Sequence, residues 1–156
     1  MGRLHLRRRR QGACGRNRFY VDTTRLHGLE AAPVDQSSGA PGGCYGTAVS
    51  GVNGLVVGTG KQNTAAIISG CADAGTAAKV ARAYTLNGYS DWFLPSKDEL
   101  ALLYSLQSVV GGFASDVYQS STQIDAHSEF VINFSGSILR QSFKNSLYRV
   151  RAIRAF

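Results

Sequence analysis

The chain predicts an α+β fold, with two main helices set among small antiparallel sheets. Three observations carry that expectation. Apolar residues recur at three- and four-residue spacing in two central segments, the mark of a helix with one buried face. Short alternating stretches near both ends, bounded by turn residues, read as strands. The 156 residues include 18 glycines, 44% hydrophobic residues and 17% charged ones, the composition of a globular domain with room for one core.

Taken in order, "RFYVDTTRLHGLEAAPVD" reads as two strands around a turn, with Phe19 and Val21 on one face and Tyr20 and Asp22 on the other. Residues 37–63 are dense in Gly, Ser, Thr and Asn. They predict a long surface segment anchored at Cys44, Tyr45 and Val56-Val57. From Thr64 the pattern turns helical, with a stripe of Ala65, Ile68 and Ala72. A second stripe of Ala77, Val80, Ala81 and Tyr84 continues it beyond a break at Gly75. "WFLPSKDELALLYSLQSVV" is the clearest local signal. Ser96 is a natural N-cap, and Glu99 stands three positions later, where its carboxylate can reach back to the Ser96 N–H. Leu100, Leu103, Tyr104 and Leu106 follow on one face, and Gly111-Gly112 ends the helix. Strands are expected near Tyr118–Ser121, Phe130–Phe134 and Ser137–Leu139, with a final strand over Arg149–Phe156. Ile132 and Ile138 suit inward positions. Trp92, Phe93, Leu94, Leu100, Leu103, Val150 and Ile153 make the expected core.

The formal charge of +7 is unevenly placed. Seven arginines (Arg3, Arg7, Arg8, Arg9, Arg10, Arg16, Arg18) precede Phe19 with no acid, and the other ten basic side chains balance the ten acids. Residues 1–18 therefore read as a basic arm, disordered more often than docked in proteins of this kind, and residues 19–156 as the folded domain. Nucleic acid is not an expected partner except through residues 3–18, because the folded part carries no basic excess to extend a footprint. No apolar run approaches the roughly 20 residues that span a bilayer, and no apolar stretch follows the arginines as a secretion signal requires.

No catalytic constellation emerges. "GLVVGTGKQNT" lacks the first glycine of a phosphate loop, and Gln62 stands where the magnesium-binding hydroxyl belongs. His5, His27 and His127 have no metal-ligand spacing. A GxSxG nucleophile elbow is absent, and Asp98 and Glu99 are explained by helix capping. Cys14, Cys44 and Cys71 form no CxxC pair. Cys44 and Cys71 fit a disulfide or two small buried side chains equally well. The reading is a non-enzymatic protein without cofactor or metal.

From "FYVDTTRLHGLEAAPVDQSSG" through "GCYGT", "GTGKQNTAAI", "GCADAGTAAK", "NGYSDWFLPSKDELALLY" and "GGFASDVYQSST" to "RVRAIRAF", the chain resembles the DUF1566 or Lcl C-terminal domains. These have a C-type-lectin-like fold related to formylglycine-generating enzymes. Within that group it is most similar to the variable proteins of diversity-generating retroelements, in which an error-prone reverse transcriptase rewrites adenines in the last segment of the gene. The resemblance implies that the N- and C-terminal strands pair. It also implies that a segment of about 119–148 displays rewritten side chains to an unknown protein or cell-surface ligand, on a virion or cell. The implied binding positions are Gln123, Ile124, Asp125, His127, Ser128, Ser137, Leu139, Arg140, Ser142, Phe143, Asn145, Ser146, Leu147 and Tyr148. Those from Ser137 to Tyr148 can be reached from an AAC-type codon by changing adenines alone, whereas Gln141 and Lys144 cannot. The oxidase relatives rely on a cysteine pair near the C-terminal region, and all three cysteines here lie before residue 72. Against the family pattern, Gln119 replaces a Trp, Pro41 or Gly42 an aromatic, and Ala81 a helix cysteine.

Overall fold

The computed structural model describes residues 17–24, 26–136 and 138–156. Residues 1–16 of the arginine arm, Arg25, Ser137 and the side chain of Ile138 lie outside that set, whereas Asn17 and Arg18, expected in the arm, open the first strand. The described residues form a mixed α+β structure with a three-stranded and a five-stranded sheet.

Strands β1 (Asn17–Val21) and β2 (Gly28–Ala31) form the expected hairpin. Its register slips between Arg18 and Tyr20, so Phe19 turns into the core while Val21 stays 46% exposed. The two do not share a buried face, as strict alternation had predicted. Strand β3 (Ser37–Ala40) follows. The loop after it is held by Val49 and Val52, which pack with Cys71. The expected anchors Tyr45 and Val56 are exposed instead.

Helix α1 (Gly60–Gly70) starts four residues before the predicted start at Thr64, and the stripe is wrong: Ala65 and Ala72 face solvent. Its buried residues are Gly60, Asn63 and Thr64. Asn63 exchanges hydrogen bonds with the Gly54 main chain, and Thr64 Oγ1 accepts from Leu94 N–H at 3.0 Å. The helix is tied to irregular backbone by polar groups, which apolar periodicity does not register. Helix α2 (Ala77–Ala83) buries Ala77 and Ala81 against Trp92, Leu94 and Val150.

Helix α3 (Lys97–Ser105) carries the predicted capping box in full. Glu99 is also the N-terminal anchor of α1: its carboxylate accepts from Ser96 N–H at 2.8 Å and from Gly58 and Gly60 N–H at 3.1 Å each. Burial pushes its pKa up against these bonds. A short helix α4 (Gln107–Val110) ends at Gly111, whose φ of +80° suits glycine. The strands β4 (Val117–Gln123), β5 (Ser128–Asn133) and β6 (Ile138–Phe143) follow.

The last eight residues are not one strand. Strand β7 (Tyr148–Val150) lies in the five-stranded sheet, ordered β3-β7-β4-β5-β6. Strand β8 (Ile153–Ala155) lies in the other, ordered β1-β2-β8. Arg151 sits at the crossing, 1% exposed. It donates to Asp35 Oδ1 at 2.8 Å and to the carbonyls of Ala32, Gly111 and Gly112, and its guanidinium covers the Phe113 ring. The C-terminal strand pairs with β2 and not with the first strand, because the hairpin turns β1 to the outside. All seven expected core residues, from Trp92 to Ile153, are at most 2% exposed.

Candidate ligand-binding surface

Strand β6 pairs with β5 over six residues in unbroken antiparallel register, from Ser128↔Phe143 to Asn133↔Ile138. Opposed residues share a face. Arg140 and Ser142 therefore stand with Val131 and Glu129, while Leu139, Gln141 and Phe143 stand with Ile132, Phe130 and Ser128. As the outermost strand, β6 leaves Leu139, Arg140, Gln141 and Phe143 exposed on both faces.

The chain then crosses the sheet on the Glu129 side to reach β7, passing β5 and β4. Lys144 is drawn beneath this crossing, 4% exposed, with Nζ donating to Thr47 O at 2.8 Å and Gln123 Oε1 at 2.9 Å. Beyond it, Asn145 and Leu147 face solvent and Ser146 is half-buried, its N–H closing a turn onto Phe143 O at 3.0 Å. Tyr148, also half-buried, meets Ser142 Oγ through its hydroxyl at 2.5 Å.

Three segments meet at the end of the hairpin. Gly46 N–H donates to Ala126 O, Gly43 N–H to Lys144 O, and Lys144 N–H to His127 O. They gather exposed Tyr45, His127 and Phe143. Tyr45 stands edge-on to His127 at 5.0 Å and to Phe143 at 6.2 Å between ring centroids. Asp125 shapes the turn: its Oδ1 accepts from His127 N–H, Ser128 N–H and Ser128 Oγ, each at 2.8 Å. These bonds, the His127 one foremost, hold its pKa below the usual carboxylate range. Beside Tyr45, an open hollow of about 240 Å³ is lined by Asp73, Asn145 and Leu147 among others. Cys44 and Cys71 are joined by a disulfide that fixes the Tyr45 loop to the end of α1.

The sequence-predicted positions thus divide. Asp125, His127, Leu139, Arg140, Phe143, Asn145 and Leu147 are exposed, and Ile124, Ser142, Ser146 and Tyr148 are half-buried. Gln123 and Ser128 are corrections, at 9% and 5% exposure. Gln123 bonds both ways with the Val49 main chain, and Ser128 is spent between Asp125 and Gln141. Tyr45 belongs to the surface but was expected as an anchor. Its setting, an aromatic between Cys44 and Gly46 in a polar stretch, was the available signal. Gln119 and Glu129 lie buried under the crossing, and Gln119 Oε1 and Glu129 Oε1 have no hydrogen-bond partner among the described residues.

No family model matches this chain, and no curated protein matches it. No helix among the described residues is long and apolar enough to cross a membrane.

Proposed function

We propose that this chain is a non-enzymatic ligand-binding protein with a C-type-lectin-like domain. Its carboxyl-terminal segment is diversified by a retroelement to vary what it recognises, a protein or a cell-surface molecule. The observation that carries the reading is the contrast within one stretch of chain. Leu139, Arg140, Phe143, Asn145 and Leu147 are exposed, while Val131, Lys144, Val150 and Arg151 around them are at most 4% exposed. Substitution at the first set leaves the packing of the second untouched. The burial of Gln119 through Gln123 and of Lys144 narrows the display to the 124–127 turn and the other residues of 139–148, with Tyr45 as a neighbour outside the diversified segment.

Exposed aromatic and arginine side chains are the types that dominate binding hot spots, and Tyr45, Phe143 and Arg140 supply them here, with half-buried Tyr148 beside them. Sequencing this gene in sister isolates tests the reading. Changes concentrated at residues 139, 140, 143, 145 and 147, beside a reverse transcriptase gene and a near-copy of the final coding segment, are expected. Changes spread evenly along the chain, with no such neighbours, overturn it.

A further inference from the structure

The four strands at sheet edges are not equivalent. Strand β1 and strand β3 have slipped registers, and β8 has three residues, with Ile153 bridged to Phe93 on its outer side. Strand β6 has six residues and no slip. It contains no proline or glycine and one charge, Arg140. Proteins blunt free edges with bulges, short length and charge, and of these β6 has the single charge of Arg140 alone.

The hydrogen-bond parity of that edge follows from one contact. Lys144 N–H donates to His127 O at 2.9 Å, just beyond the Ser128↔Phe143 pair. That pair is therefore a non-hydrogen-bonded one, and alternation along the ladder turns the N–H groups of Phe143, Gln141 and Leu139 away from β5. Their carbonyls also point outward, and among the described residues only that of Phe143 is used, by Ser146 N–H.

We infer that β6 pairs antiparallel with β6 of a second copy, about a two-fold axis at Gln141. The strand is complementary to itself in that register. Each Gln141 exchanges both main-chain bonds with its mate, and each Phe143 N–H meets the Leu139 carbonyl of the other copy. Leu139, 45% exposed, and Phe143, 58% exposed, lie opposite each other on one face as an aliphatic–aromatic cross-strand pair. Arg140 lies opposite Ser142 on the other face, so no like charges are opposed. The two five-stranded sheets become one continuous sheet, with an isologous contact of the kind that closes a dimer. The Arg140 and Tyr148 faces of the two copies then stand side by side, doubling the valency for a multivalent ligand.

Charge reversal at the axis tests this. By sedimentation, the full chain is expected at twice 16.7 kDa through the micromolar range. Gln141→Lys and Gln141→Glu, each with like charges directly opposed, are expected at 16.7 kDa with unchanged circular dichroism. An equimolar mixture of the two variants is expected to return to the dimer mass. Gln141→Pro, which removes an outward N–H without touching the β5 ladder, is expected to stay monomeric. A wild-type chain that remains monomeric overturns the inference and leaves the edge to a strand of a different protein. Variants that dimerise like the wild type overturn it too, by placing the contact elsewhere.

Discussion

Glu129 is 5% exposed, one of its carboxylate oxygens lacks a hydrogen-bond partner, and burial raises its pKa to about 8 against the pull of Gln119 and Lys144. The folded chain therefore keeps a proton that the unfolded chain loses above its ordinary value of 4.5. Between pH 4.5 and about 8 the folded state binds the more protons, so stability falls as pH rises through this window and levels off above it. Glu99, whose pKa is also raised by burial, acts in the same direction. Lys144, lowered chiefly by its own burial, acts in the opposite direction in the alkaline range. Glu129→Gln keeps the shape and removes the charge. Unfolding free energies from urea titration are expected to match wild type below pH 4.5, with the variant ahead at pH 9 by on the order of a few kcal/mol, since each pKa unit is worth about 1.4. Equal values at pH 9 would show the carboxylate to be solvated. None of this cluster was visible in the sequence, where Glu129 falls just before the strand expected at Phe130–Phe134 and Lys144 between the last two expected strands. Only the codon arithmetic set Lys144 apart from its exposed neighbours.

Gly60, the first residue of α1, shows how element contacts reverse a local preference. Alanine is favoured over glycine inside helices by about 1 kcal/mol. A Cβ here would stand 2.1 Å from Glu99 Oε1 and 2.8 Å from Ser96 N, the atoms that cap α3 and anchor α1. Gly60→Ala is expected to lower stability by about 1–3 kcal/mol, read from the thermal midpoint; a gain would show the junction to be loose. The disulfide ties the other end of α1 to the Tyr45 loop across 27 residues of sequence. Reduction is expected to cost about 3–4 kcal/mol on the chain-entropy account, measured by denaturation with and without reductant. The same junctions mark what the sequence could disclose about the fold. The Ser96/Glu99 box was legible because both partners lie within four residues. The buried face of α1 was not, since Asn63 bonds to irregular backbone at Gly54 and Thr64 to Leu94, 30 residues along the chain. The break between β7 and β8 was hidden for a related reason. In "RVRAIRAF" Arg151 looks like an outward strand position, and only the distant Asp35, Gly111 and Gly112 make it an inward one.

Across the whole molecule, the buried clusters and the exposed positions proposed for recognition are different residues. Phe93, Leu100, Leu103 and Ile153 share one fully buried cluster, and Trp92, Leu94 and Val150 another. Leu100→Ala or Ile153→Ala is therefore expected to cost about 2–5 kcal/mol. Exposed positions on β6 and in the turn after it touch neither cluster, and substitutions there are expected to stay within about 0.5 kcal/mol. The contrast can be measured on pooled libraries displayed on a surface and challenged with protease. Randomising Leu139, Arg140, Phe143, Asn145 and Leu147 together should leave most clones resistant, because none of these side chains carries a buried contact within its own chain. Randomising Gln119, Gln123, Glu129 and Lys144, only a few residues away, should leave few. Gln123 and Lys144 hold the 47–49 loop to the sheet through Val49 and Thr47, and most replacements would strand those main-chain groups. Survival of the first library as poor as that of the second would mean that the surface set is woven into the fold after all, against the proposed diversification.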